Sequence, residues 1–184
     1  MRVTIRPFVM ALSIALMAPF TFAASSQNIL AQQAASPEEG LKQDALTDKQ
    51  IDAFLAAQKD VEAIIAKAPE GDQPDPKVME QLEAVAKKYK FANYAEYDDV
   101  AGNIGLVMSG IDPDTKKYVG AEAVIKKAIA SVEGDKTVAP NDKKEQLEQL
   151  RAELKSPPEP VKIPANIELV TKNYDKLTAA MSQN

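Results

Sequence analysis

The residues of this chain best suited to chemistry are a group of aromatic side chains. Four of them fall within nine consecutive positions: Tyr89, Phe91, Tyr94 and Tyr97. A tyrosine ring is apolar while its hydroxyl can form a hydrogen bond, so the group could line a pocket for an apolar ligand or hold an unfolded segment. The same spacing suits the hydrophobic contact between two neighbouring helices. The sequence leaves pocket and core open, and these four are the candidate ligand-binding residues.

The 184-residue chain lacks the side chains on which most catalytic and metal sites depend. It contains no cysteine, histidine or tryptophan. This composition excludes a disulfide, a thiolate or imidazole metal ligand and a serine–histidine triad. It also excludes the Glu-x-x-His motif of carboxylate-bridged metal pairs in helical bundles. The seven glycines form no phosphate-binding loop. We therefore predict a protein that is not an enzyme and has no cofactor.

Two pairs of acids are the candidates for a cation site. Asp98 and Asp99 are adjacent, whereas Asp112 and Asp114 alternate as in a calcium loop. Calcium requires six to eight oxygen ligands, and the residues that follow the second pair include two lysines. The second pair therefore predicts a turn, and the first fits the opening turn of a helix, where acids interact favourably with the dipole. No metal site is predicted.

The first 23 residues have the features of a secretory signal peptide. Arg2 and Arg6 form a basic start without acids, and an apolar run follows over residues 8–22. Small side chains stand at Thr21 and Ala23, the positions that signal peptidase reads. The run of about 15 residues is shorter than the roughly 20 that a membrane-spanning helix needs. We predict cleavage near Ala23 and a periplasmic or secreted protein with no stable membrane anchor.

Removal of the predicted signal peptide makes the chain more acidic. The two arginines lost with it leave 20 basic residues against 27 acidic ones, a net charge of −7, and Arg151 as the remaining arginine. Nucleic-acid binding needs clustered Arg and Lys to neutralise phosphates, and an anionic membrane surface also attracts basic residues. The sequence predicts neither partner, and it leaves the oligomeric state open.

Helix-capping patterns mark where the elements carrying these residues begin. Thr47 followed by Gln50 forms a capping box and predicts the start of a helix. Asp75 before Pro76 predicts a second start, because proline suits the first helical position. Asn93 repeats the capping pattern for a third helix, on which much of the aromatic group lies. Apolar residues at helical spacing follow each start.

The same periodicity continues to the C-terminal part of the sequence. A fourth helix is predicted over 121–133 and a fifth from Pro140. The proline-rich residues 156–160 are predicted to end the fifth helix. Val161 to Pro164 is predicted to be an extended strap, because prolines remove amide donors and disfavour helix in the preceding residue. Asn166 is predicted to cap the last helix. Its apolar residues follow spacings of three and four, which predicts a packing seam: Ile167, Val170, Tyr174, Leu177 and Met181.

Together these elements predict an all-α fold. No segment shows sustained alternation, so no sheet is expected, and residues 111–120 are assigned to a polar connection after a left-handed Gly110. Each helix has one apolar face and needs neighbours. We expect an antiparallel bundle of five to six short helices with a proline-rich extended strap before the last one. The predicted organisation is a signal peptide over 1–23, a flexible tether over 24–45 and a single helical domain over 46–184.

One pentapeptide resembles a known family. Leu46-Thr47-Asp48-Lys49-Gln50 is similar to the Leu-Thr-x-x-Gln pattern of the Spy and CpxP periplasmic chaperones. The resemblance implies a small all-helical exported protein with chaperone activity. The second copy of the pattern that is usual in the family is absent here, and the capping box alone also explains the pentapeptide. The whole chain resembles small all-helical exported bacterial proteins of unassigned function.

These features predict a non-enzymatic soluble exported protein that binds other envelope proteins, either as a chaperone-like factor or as an adaptor. The alternative is a carrier of a small apolar or amphiphilic ligand, held between helices near Tyr89–Tyr97. The charged helix over 142–155 carries leucines along one side and could dock on a partner. More often such a pattern is a solvated amphipathic helix.

Overall fold

The computed structural model of the chain describes residues 41–68 and 75–182, which form an all-α fold as predicted. The elements in these ranges are α1 (Asp48–Ile65), α2 (Pro76–Lys88), α3 (Tyr94–Met108), β1 (Ile111–Asp112), β2 (Lys117–Tyr118), α4 (Ala121–Gly134), α5 (Pro140–Lys155), α6 (Pro164–Lys172) and α7 (Tyr174–Met181). None of these helices has both the length and the apolar character that crossing a membrane would require. The predicted signal peptide and residues 24–40 of the predicted tether lie outside the described residues.

The first three helices begin where their capping residues predict. The Thr47 hydroxyl accepts a hydrogen bond from the Gln50 N–H, and the Gln50 side chain accepts one from the Thr47 N–H, so the capping box is complete. Asp75 caps α2 with its carboxylate, and Asn93 caps α3 with its amide oxygen. Each cap satisfies an amide that has no partner within the helix. The position at which each of these three helices begins is therefore set by residues that lie within four positions of one another in the sequence.

The main hydrophobic core is built around α3. Nine of its fifteen residues are buried, and it packs against α1, α2 and α6. Helix α1 also packs against α2 and α7, so five helices share one core. The largest fully buried apolar side chains come from α1, α3, α6 and α7: Ile51, Phe54, Ile104, Val107, Val170 and Leu177.

Helices α4 and α5 form a separate hairpin. Helix α5 packs chiefly against α4 and has no buried residue. Val124 and Ile125 of α4 are buried but do not belong to the main core cluster. The hairpin therefore has little apolar interior of its own, and most of its stability comes from contact between two amphipathic helices.

The prediction of no sheet is wrong within residues 111–120. β1 and β2 pair antiparallel, with Ile111 opposite Tyr118. Strands of two residues are too short to show alternation in the sequence. The left-handed conformation predicted for Gly110 is also wrong, since Gly120 is the described glycine with a positive φ, of 89°. At Gly110 the Tyr118 ring occupies the space that a Cβ would need.

The predicted last helix is divided in two. Asn173, with φ −102° and ψ 9°, separates α6 from α7, and its side-chain amide donates to the Leu169 carbonyl. The helix starts at Pro164, so Asn166 lies inside the first turn and does not cap it. The predicted seam is confirmed, because Val170 and Leu177 are fully buried and its other members pack on the core.

Candidate functional site

Two buried asparagines on different helices hold the chain that precedes α1. Asn103 lies in α3 and Asn166 in α6, and each is 2% exposed. A buried amide needs partners, because an unpaired polar group costs about 1–3 kcal/mol. Both asparagines find partners in the backbone of residues 41–46, which we call the clamped segment. We call Asn103 and Asn166 the asparagine clamp.

Asn103 binds the first half of the clamped segment. Its Nδ2 donates to the Lys42 carbonyl at 2.9 Å, and its Oδ1 accepts from the Asp44 N–H at 3.2 Å. Nδ2 also donates to the Asp99 carbonyl of α3 at 2.8 Å. One side chain thus satisfies both a donor and an acceptor of the segment while it is anchored to its own helix.

Asn166 binds the second half in the same way. Its Oδ1 accepts from the Leu46 N–H at 2.8 Å, and its Nδ2 donates to the Asp44 carbonyl at 2.8 Å. The bonded residues are therefore 42, 44 and 46, and in an extended chain alternate residues turn their peptide groups to the same side. This alternation matches the pattern that an extended strand presents to its neighbour.

A third amide ties the clamped segment to the chain before α6. Gln43 donates from Nε2 to the Pro160 carbonyl at 3.1 Å and accepts at Oε1 from the Lys162 N–H at 2.7 Å. These bonds join residues more than one hundred positions apart. The described end of the predicted tether, residues 41–45, is thus hydrogen-bonded to the helical domain, and so is the predicted strap.

Leucines stand at both ends of the clamped segment. Leu46 is buried in the main core. Leu41 lies against α3 at Gly102, where a Cβ would come within 2.6 Å of Leu41 Cδ1. The absence of a side chain at Gly102 lets the leucine approach the helix closely. Between the two leucines, Lys42, Asp44 and Ala45 are exposed.

A polar cavity of about 220 Å³ lies beside the clamped segment. Its charged lining residues include Lys42, Asp44, Glu96 and Asp99. The Lys42 ammonium lies 2.8 Å from the Asp44 carboxylate. The pKa of Lys42 is raised, first by that hydrogen bond and to a lesser extent by Asp99. The lining therefore carries mixed charge, and the ion pair of Lys42 lies within the clamped segment itself.

The aromatic residues singled out in the sequence meet in the core between α1, α2 and α3. Phe91, Tyr94 and Tyr97 are buried, and Tyr89 is partly buried. The Tyr97 ring stacks on Phe54 and on Tyr94, with centroids 5.6 Å apart in both pairs, and meets the edge of Phe91 at 5.5 Å. None of the four candidates lines the cavity beside the clamped segment. Ligand binding at these residues remains a prediction from the sequence.

Burial changes the acidity of two of these tyrosines. Burial, with a smaller contribution from Asp98, raises the pKa of Tyr94 to about 12. The pKa of Tyr97 is raised further, again chiefly by burial. The Tyr97 hydroxyl donates to Gln58 Oε1 at 2.7 Å. Both phenols are therefore neutral at physiological pH, and neither is poised as a general base.

The acid pairs lie within a helix and in a turn. Asp98 and Asp99 are in the second turn of α3, so the prediction that they occupy its opening turn is wrong; the acid in that turn is Glu96. Asp99 contributes its carbonyl to Asn103, as described. Asp112 accepts from the Asp114 and Thr115 N–H groups, which forms the predicted turn. Lys127 of α4 binds both carboxylates of that turn at 2.7 Å. This hydrogen bond, with help from the two N–H groups, lowers the pKa of Asp112. No group of acids in the described ranges is arranged to hold a metal ion.

The sequence pattern does not indicate the asparagine clamp. It gives Asn103 no role and predicts Asn166 as a helix cap. The available signal is an asparagine inside an apolar helical stretch, where a polar side chain must find a partner.

Comparisons of the chain with protein-family models, with curated proteins and with solved structures find no match.

Proposed function

We propose that this chain is a non-enzymatic exported helical protein that binds other proteins by holding an extended segment of the partner. It acts as a chaperone-like factor or as an adaptor in the cell envelope. The observation that supports the proposal is the asparagine clamp. The hydrogen bonds from Asn103 and Asn166 to the segment they hold go to its backbone N–H and C=O groups.

Recognition of the backbone suits a protein with several partners. Every non-proline residue offers the same N–H and C=O, so main-chain hydrogen bonds give affinity that depends little on side-chain identity. Burial increases the contribution of these bonds to affinity. The side-chain amides of the clamp are removed from water, and they lose free energy unless the bound chain supplies their hydrogen-bond partners. The geometry therefore favours a binder of polypeptide over a binder of a small metabolite.

Two features of the sequence support the compartment and the class. The signal-peptide pattern over 1–23 favours export, which would make the partners envelope proteins. The pentapeptide that resembles the Spy and CpxP chaperones begins at Leu46, the last residue of the clamped segment. The resemblance therefore falls at the proposed binding site, next to the capping box that starts α1.

The proposal is tested by the aggregation of unfolded proteins. The chain from residue 24 to residue 184 is added in equimolar amount to three unrelated proteins as they are diluted from denaturant, and light scattering is followed. We expect scattering to be delayed and reduced. The double variant Asn103→Ala/Asn166→Ala should lose most of this effect, because the clamp loses its donors and acceptors.

The matched control is Asn141→Ala, which removes an exposed asparagine from the first turn of α5. This variant should protect the clients as well as the wild type does. Circular dichroism of all three proteins verifies that they are folded under the assay conditions. Failure of the wild type to protect any client would rule out chaperone-like binding, and equal protection by the clamp variant would place the binding surface elsewhere.

A further inference from the structure

The clamped segment shows what kind of partner the site accepts. We propose that the asparagine clamp binds a partner segment with leucine-like residues five positions apart, in extended form, in place of residues 41–46. The chain's own segment then acts as a competitor that the partner displaces. This inference rests on the proposed function and names the partner class and its regulation.

The separation of the two leucines defines the pattern. Leu41 contacts α3 at Gly102, and Leu46 enters the main core. In an extended chain five residues span about 16 Å, and an odd separation places the two side chains on opposite faces. One leucine can therefore lie against α3 while the other points to the core. A partner needs both apolar ends to cover the same surface.

The positions between the leucines place few demands on the partner. Lys42, Asp44 and Ala45 are exposed, and the clamp contacts this stretch through the backbone. Gln43 is the exception, because its amide bonds with the backbone of residues 160 and 162. The partner pattern therefore has six residues, of which the first and the last are apolar. The four residues between them can vary, and a side-chain amide is favoured at the third residue.

The segment can leave without unfolding α1. Thr47 and Gln50 complete the helix cap between themselves, and neither bonds to the clamp. Helix α1 consequently keeps its start when residues 41–46 detach. A tethered competitor acts at an effective concentration in the millimolar range. The clamped segment therefore lowers the apparent affinity of the clamp for a partner, unless the segment is weakened by substitution or the partner is in excess.

The experiment measures binding of a fluorescent peptide by anisotropy. The peptide carries the sequence of residues 41–47, Leu-Lys-Gln-Asp-Ala-Leu-Thr, with an acetylated amino terminus. The receptors are the chain of residues 24–184 as wild type and as Leu41→Ser/Gln43→Ala, which weakens the tethered segment and leaves the clamp intact. We expect the double variant to bind the peptide about tenfold more tightly than the wild type, corresponding to about 1.4 kcal/mol.

A matched peptide with serine in place of both leucines tests the partner class. We expect it to lose binding to the double variant. Equal affinity of both receptors for the leucine peptide would overturn displacement of the tethered segment. Equal affinity for the two peptides would overturn the leucine pattern. Absence of binding to either receptor would overturn the whole inference, while the aggregation assay decides the proposed function separately.

A second measurement uses the wild-type chain and does not depend on how the variant folds. Hydrogen–deuterium exchange is recorded with and without an excess of the leucine peptide. The Asp44 and Leu46 N–H groups bond to the clamp, so displacement should accelerate their exchange. The serine peptide should leave exchange unchanged. If the leucine peptide also left these amides protected, the tethered segment would not be displaced.

Discussion

At the scale of single residues, the informative side chains are buried polar groups whose polar atoms have hydrogen-bond partners. Asn103 and Asn166 each use both atoms of their amides on the clamped segment. Tyr97 uses its hydroxyl on Gln58. A buried polar group that is fully satisfied contributes modestly to stability, but it becomes costly when one partner is removed. These residues therefore fix a specific arrangement more than they add energy.

Removal of one clamp residue should destabilise the folded chain. Asn166→Ala leaves the Leu46 N–H and the Asp44 carbonyl without their partner. We expect the free energy of unfolding, measured by urea denaturation, to fall by about 1–3 kcal/mol. Asn141→Ala, at an exposed position in the first turn of another helix, should change it by less than about 0.5 kcal/mol. Equal effects of the two substitutions would contradict the role given to the buried amide.

Alkaline titration should reveal the buried phenols. A tyrosine in an unfolded chain has a pKa of about 10, and burial raises that of Tyr94 to about 12 and that of Tyr97 beyond this. The folded state holds these protons more tightly, so the associated stability is intact below about pH 10 and is lost as the pH rises through the folded-state pKa values.

The measurement is the ultraviolet absorbance of tyrosinate. Fewer than five tyrosines should ionise in the folded chain by about pH 11, whereas all five should ionise near pH 10 in denaturant. Tyr97→Phe should remove one late-ionising group. Five tyrosines titrating together near pH 10 in the folded chain would show that the aromatic group is open to water.

At the scale of elements, the helices fall into two classes of burial. Helix α3 buries nine of its fifteen residues, whereas α5 buries none. Helix α4 is joined to the rest by its contact with β1 and by the ion pairs from Lys127 to Asp112 and Asp114. Ion pairs of partly exposed groups stabilise weakly. The α4–α5 hairpin should therefore open more readily than the main core.

Hydrogen–deuterium exchange should separate the two classes. Amides in a region with few buried apolar contacts exchange through local opening, whereas the exchange of core amides requires global unfolding. We expect the amides of α5 to exchange at least tenfold faster than those of α3, by an order-of-magnitude estimate from the same reasoning. The comparison is internal to one sample, so it needs no variant. Equal protection of α3 and α5 would mean that the hairpin belongs to one cooperative unit with the core.

At the scale of the whole molecule, the chain is held together by contacts between distant parts of the sequence. The clamped segment bonds to α6, 120 positions away, and to the strap before it. It also bonds to Asn103, about 60 positions away. The proposed function rests on this arrangement, because we propose that the surface that holds the chain's own segment also holds a similar segment of another protein.

Much of the helical architecture could be predicted from the sequence, whereas the candidate site could not. The capping residues Thr47, Asp75 and Asn93 predict helix starts because a cap and its amide lie within four positions. The interruption at Asn173 and the hairpin of β1 and β2 leave no comparable local pattern. The aromatic group is visible in the sequence, where its spacing favours a core position between two helices but leaves a pocket open.

The sequence by itself determined the all-α class, the first three helix starts, and the lack of cysteine and histidine chemistry. Each follows from composition or from neighbours along the chain. Only the tertiary structure decided that Asn103 and Asn166 face one extended segment and that Tyr97 packs between Phe54, Phe91 and Tyr94. The physical reason is that a buried amide or ring gains its partners from elements far away in sequence, and the packing of those elements selects which partners meet.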